Sequence, residues 1–320
     1  MSGSGITLSV LDLIPRQQNS SFEEALEQAA NLAVQAEKWG YGRYWAAEHH
    51  DMSSLSCASP EVLLSHIGAR TNTIRLGSGA VLLPHYSPLK VAENFRMLAA
   101  LYPGRIDLGV GRAPGGSAHT SMALSGNFLD NVADMPNRVQ ALKALLNDSY
   151  TYEDVPVTAK PVPRISPELW LLGTNVKSAA MAAEFGTGYV FGQFMSDKNG
   201  AEVLRAYREA FQPSTLLEEP GSIIAIGVIC AETEEEAAGL AETVERPGPE
   251  RTERPDDSIE NESPGRLLIG TPEQVRSKLL DLSEQAECNE FLIFTPINNY
   301  EDRLKSFRLL AESVLDEINE

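Results

Sequence analysis

Five short stretches carry residue types that could do chemistry together. The first is Glu48-His49-His50-Asp51, two imidazoles between two carboxylates. Histidine titrates near neutral pH, so this cluster suits proton transfer better than structural hydrogen bonding alone. A metal site fits it poorly, because adjacent histidines point in different directions and no third ligand has a suitable spacing. The second is Gly77-Ser78-Gly79-Ala80, whose small residues let a flat ligand approach the backbone. The third is Gly109-Val110-Gly111-Arg112-Ala113-Pro114-Gly115-Gly116, glycines that expose backbone N–H groups around one arginine able to clamp a phosphate. A dinucleotide fingerprint fails there, since Pro114 replaces its third glycine and no helix opens. The fourth, Gly173-Thr174-Asn175 with Ser178, offers hydroxyls, an amide and helix N-terminal N–H groups to an anion, or else an ordinary helix cap. The fifth, Phe191-Gly192-Gln193-Phe194, can line a ring pocket or belong to core and turn. Together they describe a site for a phosphate-bearing flat cofactor beside a protonatable histidine.

Periodicity places each stretch at the end of a strand. Short apolar runs at 6–13, 43–47, 74–81, 105–110, 168–172, 188–191, 222–231 and 290–295 read as strands. Helical patterns follow at 22–39, 60–70, 88–102, 134–147, 176–185, 197–211, 271–283 and 301–318, with a further helical stretch at 232–244. Strict βα alternation in this length predicts a closed (β/α)8 TIM-type barrel, with an open doubly wound sheet as the alternative. In such a barrel the catalytic groups gather where strands end, which is where all five stretches fall. Two segments break the rhythm: an insertion at 112–133 after the fourth strand, and a polar, proline-rich stretch at 245–266 after the seventh. The latter holds too little apolar surface to offset its ordering entropy, and reads as a mobile lid within one domain spanning 1–320.

Composition sets the outer bounds. The 320 residues carry 26 Lys+Arg against 45 Asp+Glu, a net charge of −19, which argues against nucleic-acid and anionic-membrane partners. Residues 232–262 alone hold 12 acidic side chains and 3 arginines, so the lid region supplies −9 and the remainder −10. Cys57, Cys230 and Cys288 are too few and too scattered for a disulfide framework, and read as core residues in a reducing compartment. No signal peptide and no membrane-spanning run is visible, so the expectation is a cytoplasmic protein.

The motifs, taken in order, resemble the luciferase-like flavin-dependent monooxygenases over nearly the whole chain. The likeness rests on Tyr44-Trp45-Ala46-Ala47-Glu48-His49-His50, on 77–84 followed by Ser87-Pro88, on Pro103-Gly104-Arg105-Ile106-Asp107-Leu108-Gly109 running into Gly111–Gly115, and on Ile269-Gly270-Thr271-Pro272-Glu273-Gln274-Val275. The Gly-Arg-Ala-Pro-Gly version is similar to the alkanal-monooxygenase-like branch. This resemblance implies FMN, supplied as FMNH2 by a separate reductase. It implies a C4a-peroxyflavin that oxygenates a small organic substrate with O2, and a homodimer formed through helices 60–70 and 88–102. His49 matches the family's proton-handling histidine, and Glu48 is taken with it as catalytic. Arg112 matches the phosphate arginine; Gly173, Thr174, Asn175 and Ser178 fall on a second phosphate segment. Gly79-Ala80 matches a non-prolyl cis peptide under the flavin ring, with Ser78 and Gly192 beside it. Gly111 stands where bacterial luciferase carries a cysteine, which separates this chain from light emission. Two alternatives share the barrel: hydride transfer by a flavin or deazaflavin, and flavin binding without catalysis.

Overall fold

The computed structural model describes residues 5–17, 19–244 and 267–315. In chain order its elements are β1 (Thr7–Asp12), α1 (Phe22–Lys38), β2 (Arg43–Ala46), α2 (Pro60–Gly68), β3 (Arg75–Ser78), β4 (Val81–Leu82), α3 (Pro88–Leu101), β5 (Ile106–Gly111), α4 (Ala118–Ser125), α5 (Phe128–Ala133) and α6 (Met135–Leu146). There follow β6 (Thr151–Tyr152), β7 (Val155–Pro156), β8 (Glu168–Gly173), α7 (Val176–Phe185), β9 (Gly188–Gly192), α8 (Gly200–Ala210), β10 (Ser222–Cys230), α9 (Glu234–Glu242), β11 (Leu267–Gly270), α10 (Pro272–Ala286), β12 (Glu290–Phe294) and α11 (Tyr300–Val314).

Eight strands run parallel around a closed barrel in the order β1, β2, β3, β5, β8, β9, β10, β12, and β12 pairs back onto β1. This is the predicted (β/α)8 architecture. Helices cover it because each turns an apolar stripe inward. In α1 the stripe is Ala25, Ala29, Ala30, Leu32, Ala33 and Ala36, all buried, with Ser21 accepting from Glu24 N–H at the N-cap.

The structure departs from the sequence reading in four places. The run 74–81 is two strands, because the peptide between Gly79 and Ala80 is cis and redirects the chain, so that β4 pairs with β5. The connection 112–133 contains two helices, α4 capped by Ser117 and α5, which its glycine, serine and asparagine content concealed. A small hairpin, β6–β7, and a short strand, β11, paired to the end of β10, were not anticipated. The lid expected at 245–266 lies outside the described residues.

The barrel interior is layered. At its lower end Arg43, Arg75, Glu168 and Glu290, each the first residue of its strand, converge with Asp107. Arg43 meets Asp107 at 2.9 Å and Glu290 at 2.7 Å; Arg75 pairs with both Asp107 and Glu168. Above this plug Trp45, fully buried, donates its indole N–H to Asp107 at 2.9 Å and packs edge-on against Trp170. An apolar floor of Leu11, Val190, Ile223 and Leu292, with Leu172, Phe194 and Phe294, completes the column just below the C-terminal mouth. Among the described residues no helix is long and apolar enough to cross a membrane.

Candidate active site

The mouth is shaped by how β2, β3 and β4 end. Ala46 pairs with Ser78, and Gly79 N–H donates to Ala46 O at 2.8 Å, so the cis Gly79–Ala80 peptide lies beside the turn into Glu48-His49-His50. A Cβ on Gly79 would sit 2.6 Å from Leu11 Cδ1, so any larger residue there needs the Leu11 side chain to shift. At Gly109 a Cβ would collide with the Ser78 carbonyl. Ser78 itself is buried and donates its hydroxyl to Gly109 O at 2.8 Å, so it braces two strands and its side chain is not open to the mouth.

The two candidate proton carriers have different surroundings. Glu48 is 3% exposed and fully engaged. Its Oε1 accepts from the Tyr86 hydroxyl at 2.7 Å and lies 2.7 Å from His50 Nε2, while Oε2 accepts from Leu82 N–H at 3.1 Å. Burial and the Glu48 carboxylate push the Tyr86 phenol up, so it remains a donor. Glu48 therefore ties the β2 loop to β4 and the loop after it. His49 is the opposite case. Its backbone N–H donates to Cys57 O at 2.9 Å, but its ring Nδ1 is buried with no hydrogen-bond partner. Burial lowers its pKa, with Glu48 opposing and His50 adding to the shift, so the imidazole is neutral at neutral pH. A neutral ring with an unmatched nitrogen can accept a proton.

The anion side lies on neighbouring strand ends. Val110 pairs with Leu171, so two residues further along Arg112 comes beside Gly173 and the turn into α7. Arg112 is exposed and has no ion-pair partner among the described residues. Asn175 caps α7, accepting from Lys177 N–H at 3.0 Å and Ser178 N–H at 3.2 Å. Ser178 is buried and shares its hydroxyl with Asn175 O and Tyr189, so both side chains are committed to the cap. That leaves Arg112, Thr174 and the α7 N-terminus with its positive dipole end for a phosphate. Gly192 ends β9 close by, where a Cβ would lie 3.5 Å from Thr174 Cγ2.

Thus His49, Gly79, Ala80, Arg112, Gly173, Thr174 and Gly192 border the mouth, whereas Glu48, Ser78, Asn175 and Ser178 have side chains spent on holding it. The residues fit a phosphate-bearing flat cofactor: an unmatched buried imidazole nitrogen, a bed of small residues and an unpaired arginine all await a partner. Sequence reasoning missed Tyr86 and Leu82, whose roles arise only from folding. It also passed over Arg16, Thr295 and the end of β1. Arg16 follows Pro15 at a strand end, the same signal that singled out Arg112.

The profile of the luciferase-like monooxygenase family matches residues 6–287. The chain is similar to the luciferase-like monooxygenase of Escherichia coli (strain K12), 35% identical over 98% of each chain. It is similar to the crystal structure of apo-MsnO8, 34% identical with a TM-score of 0.86, covering 96% of this chain and 98% of the other. The oxygenating constituent of 3,6-diketocamphane monooxygenase from Pseudomonas putida, solved with FMN, is 18% identical with a TM-score of 0.73. It covers 98% of this chain and 99% of the other, a likeness of fold alone.

Proposed function

The chain belongs to the luciferase-like monooxygenase family, and from that premise we propose that it is an FMN-dependent monooxygenase of the alkanal-monooxygenase-like branch. It takes FMNH2 from a separate reductase and uses O2 to oxygenate a small organic substrate, working as a cytoplasmic homodimer. Reduced FMN, when bound, supplies the two electrons that activate O2 at its C4a carbon; one oxygen atom goes to substrate and the other leaves as water. The protein's own part is to hold, orient and protonate. Arg112, Thr174 and the α7 N-terminus hold the phosphate. The Gly79–Ala80 backbone takes the ring, and His49 exchanges the proton. Glu48 acts through Leu82 and Tyr86 as a positioning residue.

The observation that carries this reading is the buried, unpartnered His49 Nδ1 beside the small-residue bed. The experiment is rapid mixing of protein loaded with reduced FMN against oxygenated buffer, followed by absorbance. The reading expects a flavin–oxygen adduct that outlives the free-solution reaction, together with oxygen uptake when substrate is present. Flavin or deazaflavin reduction with no oxygen uptake would favour hydride transfer. FMN binding with neither would favour a non-catalytic flavoprotein.

A further inference from the structure

Beside the flavin bed the mouth opens into a second space. A cleft of about 650 Å3 lies between the loops that follow β1 and β12, with residues 53–55 of the β2 loop along one side. Its inner end is apolar, lined by Leu11 and Phe294. Leu11 is also the side chain that a Cβ on Gly79 would strike, so the inner end lies directly beside the cis peptide. Phe294 packs against Phe194, 5.3 Å between centroids, and closes the floor on the far side.

The outer end is cationic. Arg16 lines it, with Nε donating to Ser53 O and Nη1 to Ser20 O, both at 2.7 Å, and the guanidinium 4.7 Å over the Phe22 ring. These acceptors are neutral carbonyls, so the charge is positioned without being neutralised, and Nη2 has no acceptor among the described residues. The other two charges lining the cleft cancel: Asp12 and Arg303, both buried, pair at 3.1 Å. The local sum is one positive charge. Thr295, 4% exposed and on the β12 side of the cleft, has a hydroxyl with no partner among the described residues. An arginine already ordered by two carbonyls and a ring has lost most of its side-chain entropy, so an anion on its free edge binds without that cost. The chain's overall acidity does not cancel this, because charges beyond about 8 Å are largely screened at physiological ionic strength.

We propose that this cleft is the substrate compartment and that the substrate is a small organic monocarboxylate. Its alkyl or aryl body lies on Leu11 and Phe294, and its carboxylate accepts from Arg16. One negative charge balances the cleft; a phosphate dianion would leave it over-compensated. Calling the occupant a substrate rests on the flavin-monooxygenase reading, but the binding itself does not.

The test uses the FMN-loaded full chain with octanoate and octanamide, two probes of equal length that differ in charge, read by isothermal titration calorimetry. FMN affinity is measured separately by flavin fluorescence quenching. Octanoate is expected to bind more tightly than octanamide. Arg16→Gln is expected to weaken octanoate about tenfold or more and to leave octanamide and FMN within about twofold, with Arg16→Lys restoring part of the loss. Thr295→Val, which leaves the Arg16 loop intact, is expected to weaken octanoate by a smaller factor. The proposal is overturned if neither probe binds, if the two bind equally, or if octanoate is indifferent to Arg16→Gln. Retained octanoate selectivity in a chain that cannot bind FMN would support the carboxylate site and count against the flavin reading alone.

Discussion

His49 is a half-buried imidazole whose Nδ1 is buried and unmatched, and both its chemistry and its contribution to stability follow from that. Its folded pKa lies below the ordinary histidine value of 6.5, burial being the main cause. As pH falls, the unfolded chain therefore takes up this proton first. Stability should rise with pH through the interval below 6.5 and level off above it. In His49→Gln the loss of melting temperature between about pH 7.5 and 5.5 should be shallower than in the native chain. The same depressed value places the acid limb of kcat/KM below 6.5. His49→Gln should keep FMN affinity while turnover falls by about 10²-fold or more; full turnover would remove His49 from the reaction. Arg112→Ala should weaken FMN about tenfold or more but leave riboflavin, which lacks the phosphate, unchanged; equal loss of both would sink the phosphate role. At this scale the strand-end positions of His49 and Arg112 were legible in the sequence, because hydrophobic period alone marks where those strands stop. The hydrogen-bond partners of Glu48, Ser78 and Ser178 were not. Their residue types suit a ligand, but folding turns their oxygens onto Leu82, Gly109 and Tyr189.

Between elements, the closest approach at the mouth is β3 against β5. Gly109 faces the Ser78 carbonyl with no room for a methyl, and backbone there cannot yield as a side chain can. Gly109→Ala should cost about 3 kcal/mol or more, read as a fall in urea midpoint, and should weaken FMN as the bed shifts. Gly239 provides the contrast. It lies within α9 with nothing within 4 Å of its added Cβ and no positive φ, so Gly239→Ala should stabilise by about 0.5–1 kcal/mol. If both substitutions had the same effect, local space would not be the cause. Such element-level facts were only partly legible. The alternation of strands and helices showed in hydrophobic period alone, because each strand is buried on both faces and each helix on one. The break at Gly79–Ala80 did not, since 74–81 reads as one apolar run whether or not its middle peptide is cis. Nor did α4 and α5, whose Ser117 and Asn127 caps sit in a stretch that composition marks as loop.

For the whole molecule, one helix pair carries several exposed large apolar side chains. On α2 and α3, Val62 is 68% exposed, Met97 52% and Leu101 56%. The Asn94 amide donates to Glu61 at 3.2 Å, fixing the two helices against each other. Met97 and Leu101 lie three and seven residues beyond Asn94, so they share its face, next to Val62. Three large apolar side chains on one helix pair favour burial against a second copy of the same face, which is the isologous geometry of a two-fold dimer. Light scattering should give twice the chain mass at micromolar concentration. Val62→Glu combined with Met97→Glu should give a monomer, because each introduced carboxylate would be buried without a partner in a desolvated contact. Since α2 and α3 lead from the loops carrying His49 and Tyr86, that monomer should also bind FMN less tightly than the native chain. A native chain that runs as a monomer, or a double variant that remains a dimer, would place the interface elsewhere.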